Sequence, residues 1–265
     1  MTTVDQAEPN LARPWAPHRA RIYLATGMFA GAMFALMTVG VATGLIKPTF
    51  TVDVIGNLLF GLPVLLVPLV MLWDAPGEHR SRLDRAAELT MFYLPYTASS
   101  QVSYELVFVI GYRLGWWTPT TDPGWKWFWW QYGLADTRYT NGNPWTFGLE
   151  VVSVVTGAVV FFAWTRLMRP DLPPESRVRY LWFAFAGIAV LMSTTAVYVV
   201  SEAGVGFGDM GQGAFGLWFK FATEIFPFIV LPPLVLYSIQ LQLDYLARRA
   251  GARDVAGHDM QRKVA

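Results

Sequence analysis

The sequence predicts an all-α integral membrane protein, a polytopic bundle of about six transmembrane helices. The first observation is composition, because 54% of the 265 residues are hydrophobic and only 15% are charged. Soluble domains have roughly 45–50% apolar and about 25% charged residues. The second observation is that apolar stretches recur at a length that crosses a ~30 Å hydrocarbon core, which takes roughly 20 helical residues.

The apolar stretches give the predicted spans in order along the chain. They cover residues 22–46, 54–74, 86–114, 144–168, 178–202 and 215–245. The third span contains one proline and the sixth contains three: Pro95, Pro227, Pro232 and Pro233. Neighbouring helices can satisfy the carbonyl groups that a proline leaves free, so we expect kinks and not breaks. Residues 1–21 and 246–265 are predicted to be tails flanking the bundle of residues 22–245.

The distribution of positive charge predicts that both termini are cytoplasmic. Fifteen of the twenty Lys and Arg residues lie in the two tails, after the second span, or between the fourth and fifth spans. Basic residues near span ends are retained in the cytoplasm. The N-terminal segment lacks the pattern of a cleaved signal peptide, so we expect the first span to remain in the protein. Sixteen Arg against four Lys is typical of GC-rich bacteria, which favours the bacterial plasma membrane.

The residue inventory excludes several chemistries. The chain has no Cys, which excludes disulfides, thiolate metal ligands and Cys nucleophiles together. Its three histidines, His18, His79 and His258, lie in predicted cytoplasmic segments, so we predict neither a metal site nor a cofactor. The basic loops are explained by topology, and no nucleic-acid partner is expected. Membrane lipids and a hydrophobic ligand are the expected partners. Small residues such as Gly27 and Gly31 could pack helices within one chain or in a homodimer.

One long connection, residues 115–143, is predicted to be extracytoplasmic and is rich in tryptophan. Six Trp lie in its first sixteen residues. Tryptophans are enriched where membrane meets water. The connection is therefore either an interfacial lid or an aromatic roof over a site.

Acidic residues inside the spans are the candidate functional groups. An ionisable group in a bilayer costs roughly 2.5–3.5 kcal/mol on insertion scales and therefore suggests function. Helix rise places Glu105, Glu150 and Glu224 about 15, 9 and 14 Å below the outer surface, and Glu202 at the outer end of the fifth span. These depths predict a shared pocket in the outer half of the bundle.

Helical spacing adds two relationships to this pocket. Gln101 and Glu105 are four residues apart and share a helix face. The same spacing relates Lys220 to Glu224, which leaves an ion pair as an alternative role for Glu224.

The run WWQYGLADTRYTNGNPWTFGLEVVSVVTG resembles the emopamil-binding protein (sterol Δ8-Δ7 isomerase) family, whose domain is of the EXPERA type. In that family a Trp-rich stretch leads through an Asp-Ser-Arg-Tyr motif to a membrane Glu. The matching positions are Asp136, Thr137, Arg138, Tyr139 and Glu150. The segments YVVSEAGVGFG and LWFKFATEIFPFIVLPPLVL resemble the next two spans of the family, including its Tyr-x-x-x-Glu at Tyr198 and Glu202. The resemblance covers about residues 86–245.

The chain departs from the family at two places. The isomerases carry His-x-x-x-Glu where this chain has Gln101-x-x-x-Glu105, so an imidazole that could shuttle protons is missing. In the last span the Asn and Trp positions of the family fall at Ile225 and Phe228.

The resemblance implies an isomerase, or a related proton-initiated cyclase, acting on a sterol or terpenoid alkene. Burial in apolar surroundings favours the neutral form of a carboxyl group, which could then protonate an alkene. We assign Glu105 as the acid and Glu150 as the base, with exchanged roles as an alternative, and include Glu224 as a third catalytic candidate. Aromatic faces would stabilise the carbocation. The expected substrate-binding residues are Gln101, Tyr104, Asp136, Arg138, Tyr139, Tyr198, Glu202, Trp218 and Phe228.

Two other functions remain open from the sequence. The same superfamily resemblance extends to non-catalytic sterol-binding and lipid-binding proteins. The buried acids could also serve a proton-coupled transporter, although no inverted repeat supports that function.

Overall fold

The computed structural model describes residues 9–264, apart from the side chains of Leu62, Val64, Leu65, Thr223 and residues 253–264. The described chain is helical and contains no strand beyond an isolated bridge between Asp136 and Met210. Its eight α-helices are α1 (Pro17–Ala42), α2 (Phe50–Leu72), α3 (Arg82–Ser99), α4 (Leu106–Arg113), α5 (Trp127–Ala135), α6 (Pro144–Leu167), α7 (Pro174–Gly204) and α8 (Ala222–Val264). The predicted all-α fold class is confirmed.

Five helices among the described residues are long and apolar enough to cross a membrane. They are Pro17–Ala42, Phe50–Leu72, Pro144–Leu167, Pro174–Gly204 and Glu224–Ala252. These helices make the protein an integral membrane protein by length and composition. The predicted third span is not among the five, so the count of six spans stays a prediction, as does the orientation of the termini.

The third predicted span is a helical run that is divided by a π-helical segment. α3 begins with a capping box, in which Ser81 and Asp84 each accept a hydrogen bond from the backbone of the other. Pro95 lies inside α3, and the chain widens into a π-helix over Ser100–Glu105 before α4 continues. Insertions of this kind are frequent at functional sites. The segment carries both Gln101 and Glu105.

The last predicted span differs from the prediction at both ends. It begins with a second π-helix, Phe215–Phe221, and continues as α8 through all three prolines without a break. Helix α8 extends through Val264, so the predicted C-terminal tail of residues 246–265 is helical over nearly all of its length. Of the predicted N-terminal tail, residues 1–8 lie outside the described residues.

The core of the bundle lies where α3, α6, α7 and α8 meet. Leu94, Val160, Ile188 and Ile239, one from each helix, have no exposed surface. Helices α1 and α2 pack against each other beside this core, and α5 packs against α1. The tryptophan-rich connection therefore folds back onto the bundle, where Trp127 is 1% exposed.

Candidate functional site

A cavity of about 1040 Å³ lies between the α1–α2 pair and the four-helix core. Ligand pockets commonly measure about 300–1,000 Å³, so this cavity is at the upper end of that range. Most of the lining is apolar. The polar side chains that reach it include all three of the intramembrane acids singled out from the sequence: Asn57, Gln101, Tyr104, Glu105, Gln131, Tyr132, Tyr139, Glu150, Ser153, Tyr198 and Glu224.

The cavity is elongated along the helix axes. Its lining residues run from Leu89 to Val107 in the third helical run, which is about 27 Å of helix at 1.5 Å per residue. In α6 they run from Leu149 to Trp164, about 22 Å. Glu105 and Glu150 lie at the same end of these two runs, so the carboxyl groups occupy one end of a long apolar space.

Glu105, Glu150 and Glu224, hereafter the acid cluster, come from three different elements. The side chains of Glu105 and Glu150 are within hydrogen-bonding reach of each other. Two carboxyl groups can share a hydrogen bond only if one of them carries a proton. The pair can therefore hold an acid and its conjugate base side by side.

Tyr139 supports one member of this pair. Its hydroxyl group donates a hydrogen bond to Oε1 of Glu150, and both side chains are buried. The donation favours the charged form of Glu150. By contrast, Glu105 Oε2 has no hydrogen-bond partner among the described residues. The two carboxyl groups thus have different environments.

Gln101 is fixed beside Glu105 by a close approach of the π-helix to α6. A Cβ built at Gly157 would lie 2.4 Å from Cβ of Gln101, so only glycine fits there. Gln101 is 7% exposed, lines the cavity, and leaves Oε1 without a hydrogen-bond partner among the described residues. A buried unpaired acceptor is costly unless a ligand satisfies it.

Glu224 belongs to a second polar group that the sequence did not reveal. Glu224 and the Gln131 side chain both line the cavity. The Gln131 Oε1 atom accepts from Asn57 at 2.9 Å, and the Gln131 carbonyl accepts from Lys220 at 2.6 Å. Lys220 pairs with Asp53 at 2.6 Å, and both side chains are at most 1% exposed. The ion pair recorded for Lys220 therefore joins the last span to α2, whereas the sequence predicted a pair with Glu224.

Asp136, Arg138 and Glu202 do not line the cavity, and their contact with substrate stays a prediction. Arg138 contacts Asp136 at 2.6 Å and Glu202 at 3.1 Å, and all three residues are at most 3% exposed. Burial alone would lower the pKa of Arg138, but its hydrogen bonds and acidic neighbours raise it above its ordinary value. Glu202 is thus a buried ion-pair partner and not an interfacial cap.

Tyr198 connects this ion cluster to the cavity. It lines the cavity, donates a hydrogen bond to Asp136, and lies 3.0 Å from the hydroxyl group of Tyr132. The Arg138 guanidinium lies 4.3 Å from the centroid of the Tyr198 ring. The ion cluster therefore fixes the position of two tyrosines that face the cavity.

Aromatic rings form much of the wall near the acid cluster. Tyr104 stacks on Trp129 at a centroid distance of 5.4 Å, and Phe128 meets Tyr104 edge-on at 5.1 Å. Farther along, Tyr96 stacks on Phe228 at 6.0 Å. Trp218 is 71% exposed and does not line the cavity, so its role as a binding ring stays a prediction. The π-helix turns Trp218 outward and Lys220 inward.

The roof interpretation of the tryptophan-rich connection agrees with these contacts. Trp127, Phe128 and Trp129 line the cavity, whereas Trp125 is 44% exposed. Four residues of the site were not predicted from the sequence: Asp53, Asn57, Gln131 and Tyr132. Asp53 lies one residue before the predicted second span. Gln131 and Tyr132 lie in the aromatic run, and their polar groups among apolar neighbours were the one signal that this segment faces the interior of the protein.

Comparison with family models, curated proteins and solved structures finds no match to this chain.

Proposed function

We propose that the protein is a membrane-embedded isomerase or proton-initiated cyclase of a sterol-like or terpenoid alkene. The observation that carries this proposal is the adjoining pair Glu105 and Glu150 at one end of a large apolar cavity. A cavity of this kind excludes water, which would otherwise trap a carbocation.

The proposed reaction begins with proton transfer from Glu105 to one alkene carbon. The π electrons form the new C–H bond, and the adjacent carbon becomes a carbocation. Glu150 then takes a proton from a neighbouring carbon, and the electrons of that C–H bond form the shifted double bond. For a cyclisation, a second alkene attacks the cation before the proton is lost.

The contacts of the pair favour this assignment of roles. Tyr139 donates to Glu150 and so stabilises it as a carboxylate, which suits a base. After one turnover Glu150 holds the proton and Glu105 lacks it. The pair is reset when Glu150 releases this proton to water and Glu105 takes one up from water after the product leaves. The missing imidazole of the resembling isomerases would then not be required.

The aromatic walls supply the remaining requirement, which is stabilisation of a cation. Ring faces attract a nearby cation by about 0.5–2 kcal/mol each. Tyr104 is adjacent to Glu105 in sequence and contacts Phe128 and Trp129, so these three rings are the candidates for this role.

Turnover in deuterated water tests the proposal. Purified protein is incubated with a panel of sterol and terpenoid alkenes, and products are analysed by mass spectrometry. We expect deuterium on the product carbon that received the proton. Glu105→Gln should reduce turnover by about 10²–10⁴-fold, the usual contribution of general acid catalysis. The exposed Glu175, at the start of α7, provides a matched control as Glu175→Gln.

A second candidate function is lipid binding without catalysis. The cavity volume and the unpaired Gln101 Oε1 favour a bound lipid whether or not chemistry follows. If Glu105→Gln and Glu150→Gln both retained full activity and stability, or if no alkene were converted while lipids bound, the enzyme proposal would fail in favour of this one.

We also propose that both termini face the cytoplasm of a bacterial cell, with the acid cluster in the outer half of the membrane. The chain has no Cys, so single-cysteine variants can be labelled without background. An impermeant thiol reagent added to intact cells should label Thr121→Cys and should leave Gly77→Cys unlabelled until the cells are opened. The reverse pattern would overturn the orientation.

A further inference from the structure

We infer that the natural ligand is an elongated isoprenoid-type lipid, with its reactive end at the acid cluster and its apolar chain along α1 and α2. This inference rests on the proposed function for the reactive end, and it adds the length and direction of the substrate. The distance that the cavity follows along the helices, about 22–27 Å, exceeds what a compact ring system would occupy.

The two ends of the cavity differ in chemistry. At one end lie the acid cluster and the buried, unpaired Oε1 atom of Gln101. At the other end Tyr23 lines the cavity, and its hydroxyl group is already engaged with Glu88. The polar groups of the cavity are therefore concentrated at the acid end, whereas the opposite end offers, among the described residues, one unpaired donor, the Trp164 indole nitrogen, in mostly apolar surroundings.

Small residues on α1 make room for that chain. Gly27 lies one helical turn from Tyr23, and Gly31 lies one turn farther toward the acid end. Both glycines line the cavity, and a Cβ built at either position meets no atom within 4 Å. The sequence left them to pack helices within one chain or in a homodimer, and within this chain they leave space beside the cavity. Larger side chains at these positions would occupy the path of the chain.

A graded substitution series tests the inference by binding alone. The probes are geraniol, farnesol and geranylgeraniol, which increase stepwise in isoprenoid chain length. Affinity is measured in detergent by the change in intrinsic tryptophan fluorescence, because Trp127 and Trp129 line the cavity. Gly148→Leu is the matched control, since Gly148 is exposed on α6 and lies outside the cavity lining, and a Cβ built there meets no atom within 4 Å.

We expect the affinity of the unmodified protein to rise with chain length. Gly27→Leu should weaken geranylgeraniol binding by about tenfold or more, the effect of displacing a few buried methylene groups, and should spare geraniol. Gly31→Leu should weaken farnesol as well, while Gly148→Leu should change nothing. Equal affinity for the three probes, or equal loss of all three in Gly27→Leu, would overturn the inference. Binding as expected without deuterium incorporation would instead remove only the proposed chemistry.

Discussion

The hydroxyl group of Tyr139 donates a hydrogen bond to Glu150, and this contact distinguishes the two carboxyl groups of the Glu105–Glu150 pair. Tyr139 reaches Glu150 from the short helical turn after α5, while Glu150 projects from α6. The same ring also contacts Phe108 and Tyr132, at centroid distances of 4.6 and 4.9 Å. Its position is therefore held by packing as well as by the hydrogen bond.

Removing the Tyr139 hydroxyl group should slow turnover more than it affects folding. Hydrogen bonds to charged groups contribute about 1.5–3 kcal/mol, which corresponds to about ten- to hundredfold in rate. Tyr139→Phe keeps the ring and its contacts, so ligand affinity should change little. The measurements are deuterium incorporation and ligand affinity in the same preparation.

Tyr112→Phe is the control for this prediction. It also removes a tyrosine hydrogen bond, the one donated to the Gly142 carbonyl at 3.0 Å, but Tyr112 does not line the cavity. If Tyr139→Phe turned over as fast as Tyr112→Phe, Glu150 would not depend on Tyr139.

Gly157 should be intolerant of even one additional carbon. Its Cβ would collide with Gln101, and an overpacked core costs about 1–3 kcal/mol. Gly157→Ala should therefore lower the melting temperature and displace Gln101 from the cavity wall, weakening ligand binding. On the same helix, Gly148→Ala meets nothing and should stabilise the protein by about 0.5–1 kcal/mol, because alanine favours helix. A Gly157→Ala protein as stable as Gly148→Ala would refute the close approach.

The main helices could be predicted because each one is a continuous apolar stretch of the sequence, long enough to be recognised without knowledge of its tertiary contacts. The predicted spans 54–74, 144–168 and 178–202 agree with α2, α6 and α7 to within four residues at either end. The three acids that line the cavity were also predicted, because an ionisable group in an apolar run is conspicuous without any structure.

The remaining features depend on contacts between distant segments, which local patterns do not specify. Lys220 has the helical spacing of an ion pair with Glu224, but the salt bridge that fixes it to another element runs to Asp53 in α2, far away in the sequence. Trp218, two residues before Lys220, is 71% exposed, which the hydropathy of this segment does not indicate. Helix α5 packs against α1, and this packing brings Gln131 to the cavity. Composition does not indicate a contact between these two distant segments.

Acid should weaken the cluster of ion pairs around the α2–α3 connection. A hydrogen bond from Arg19 lowers the pKa of Glu78 to about 2, against the opposing effect of burial. A hydrogen bond from Arg80 likewise lowers the pKa of Asp74. A carboxyl group whose pKa is lowered by folding stabilises the folded state above its unfolded pKa, and that contribution is lost as pH falls through the folded value.

For Glu78 this window runs from about pH 4.5 down to about pH 2. The melting temperature should therefore fall over this window, and Glu78→Gln should show a smaller fall because it has no proton to gain. Subtracting the two curves isolates the contribution of Glu78 from those of the other carboxyl groups. Parallel curves would show that the Arg19 contact does not stabilise the folded state.

The buried pair Lys220–Asp53 should contribute to stability in a way that only a double substitution reveals. Both side chains are at most 1% exposed and 2.6 Å apart, so removing one partner leaves an uncompensated buried charge. Breaking such a pair typically costs about 3–5 kcal/mol, whereas replacing both partners is often nearly neutral. Lys220→Met should accordingly lower the melting temperature strongly, and Lys220→Met with Asp53→Asn should recover most of the loss.

Lys47→Met, at an exposed position, is the control and should stay within about 0.5 kcal/mol of the unmodified protein. Because Lys220 also donates to the Gln131 carbonyl, and Gln131 lines the cavity, the single substitution should weaken ligand binding too. A double variant no more stable than Lys220→Met would mean that the hydrogen bond to Gln131, and not the charge of Asp53, makes Lys220 necessary.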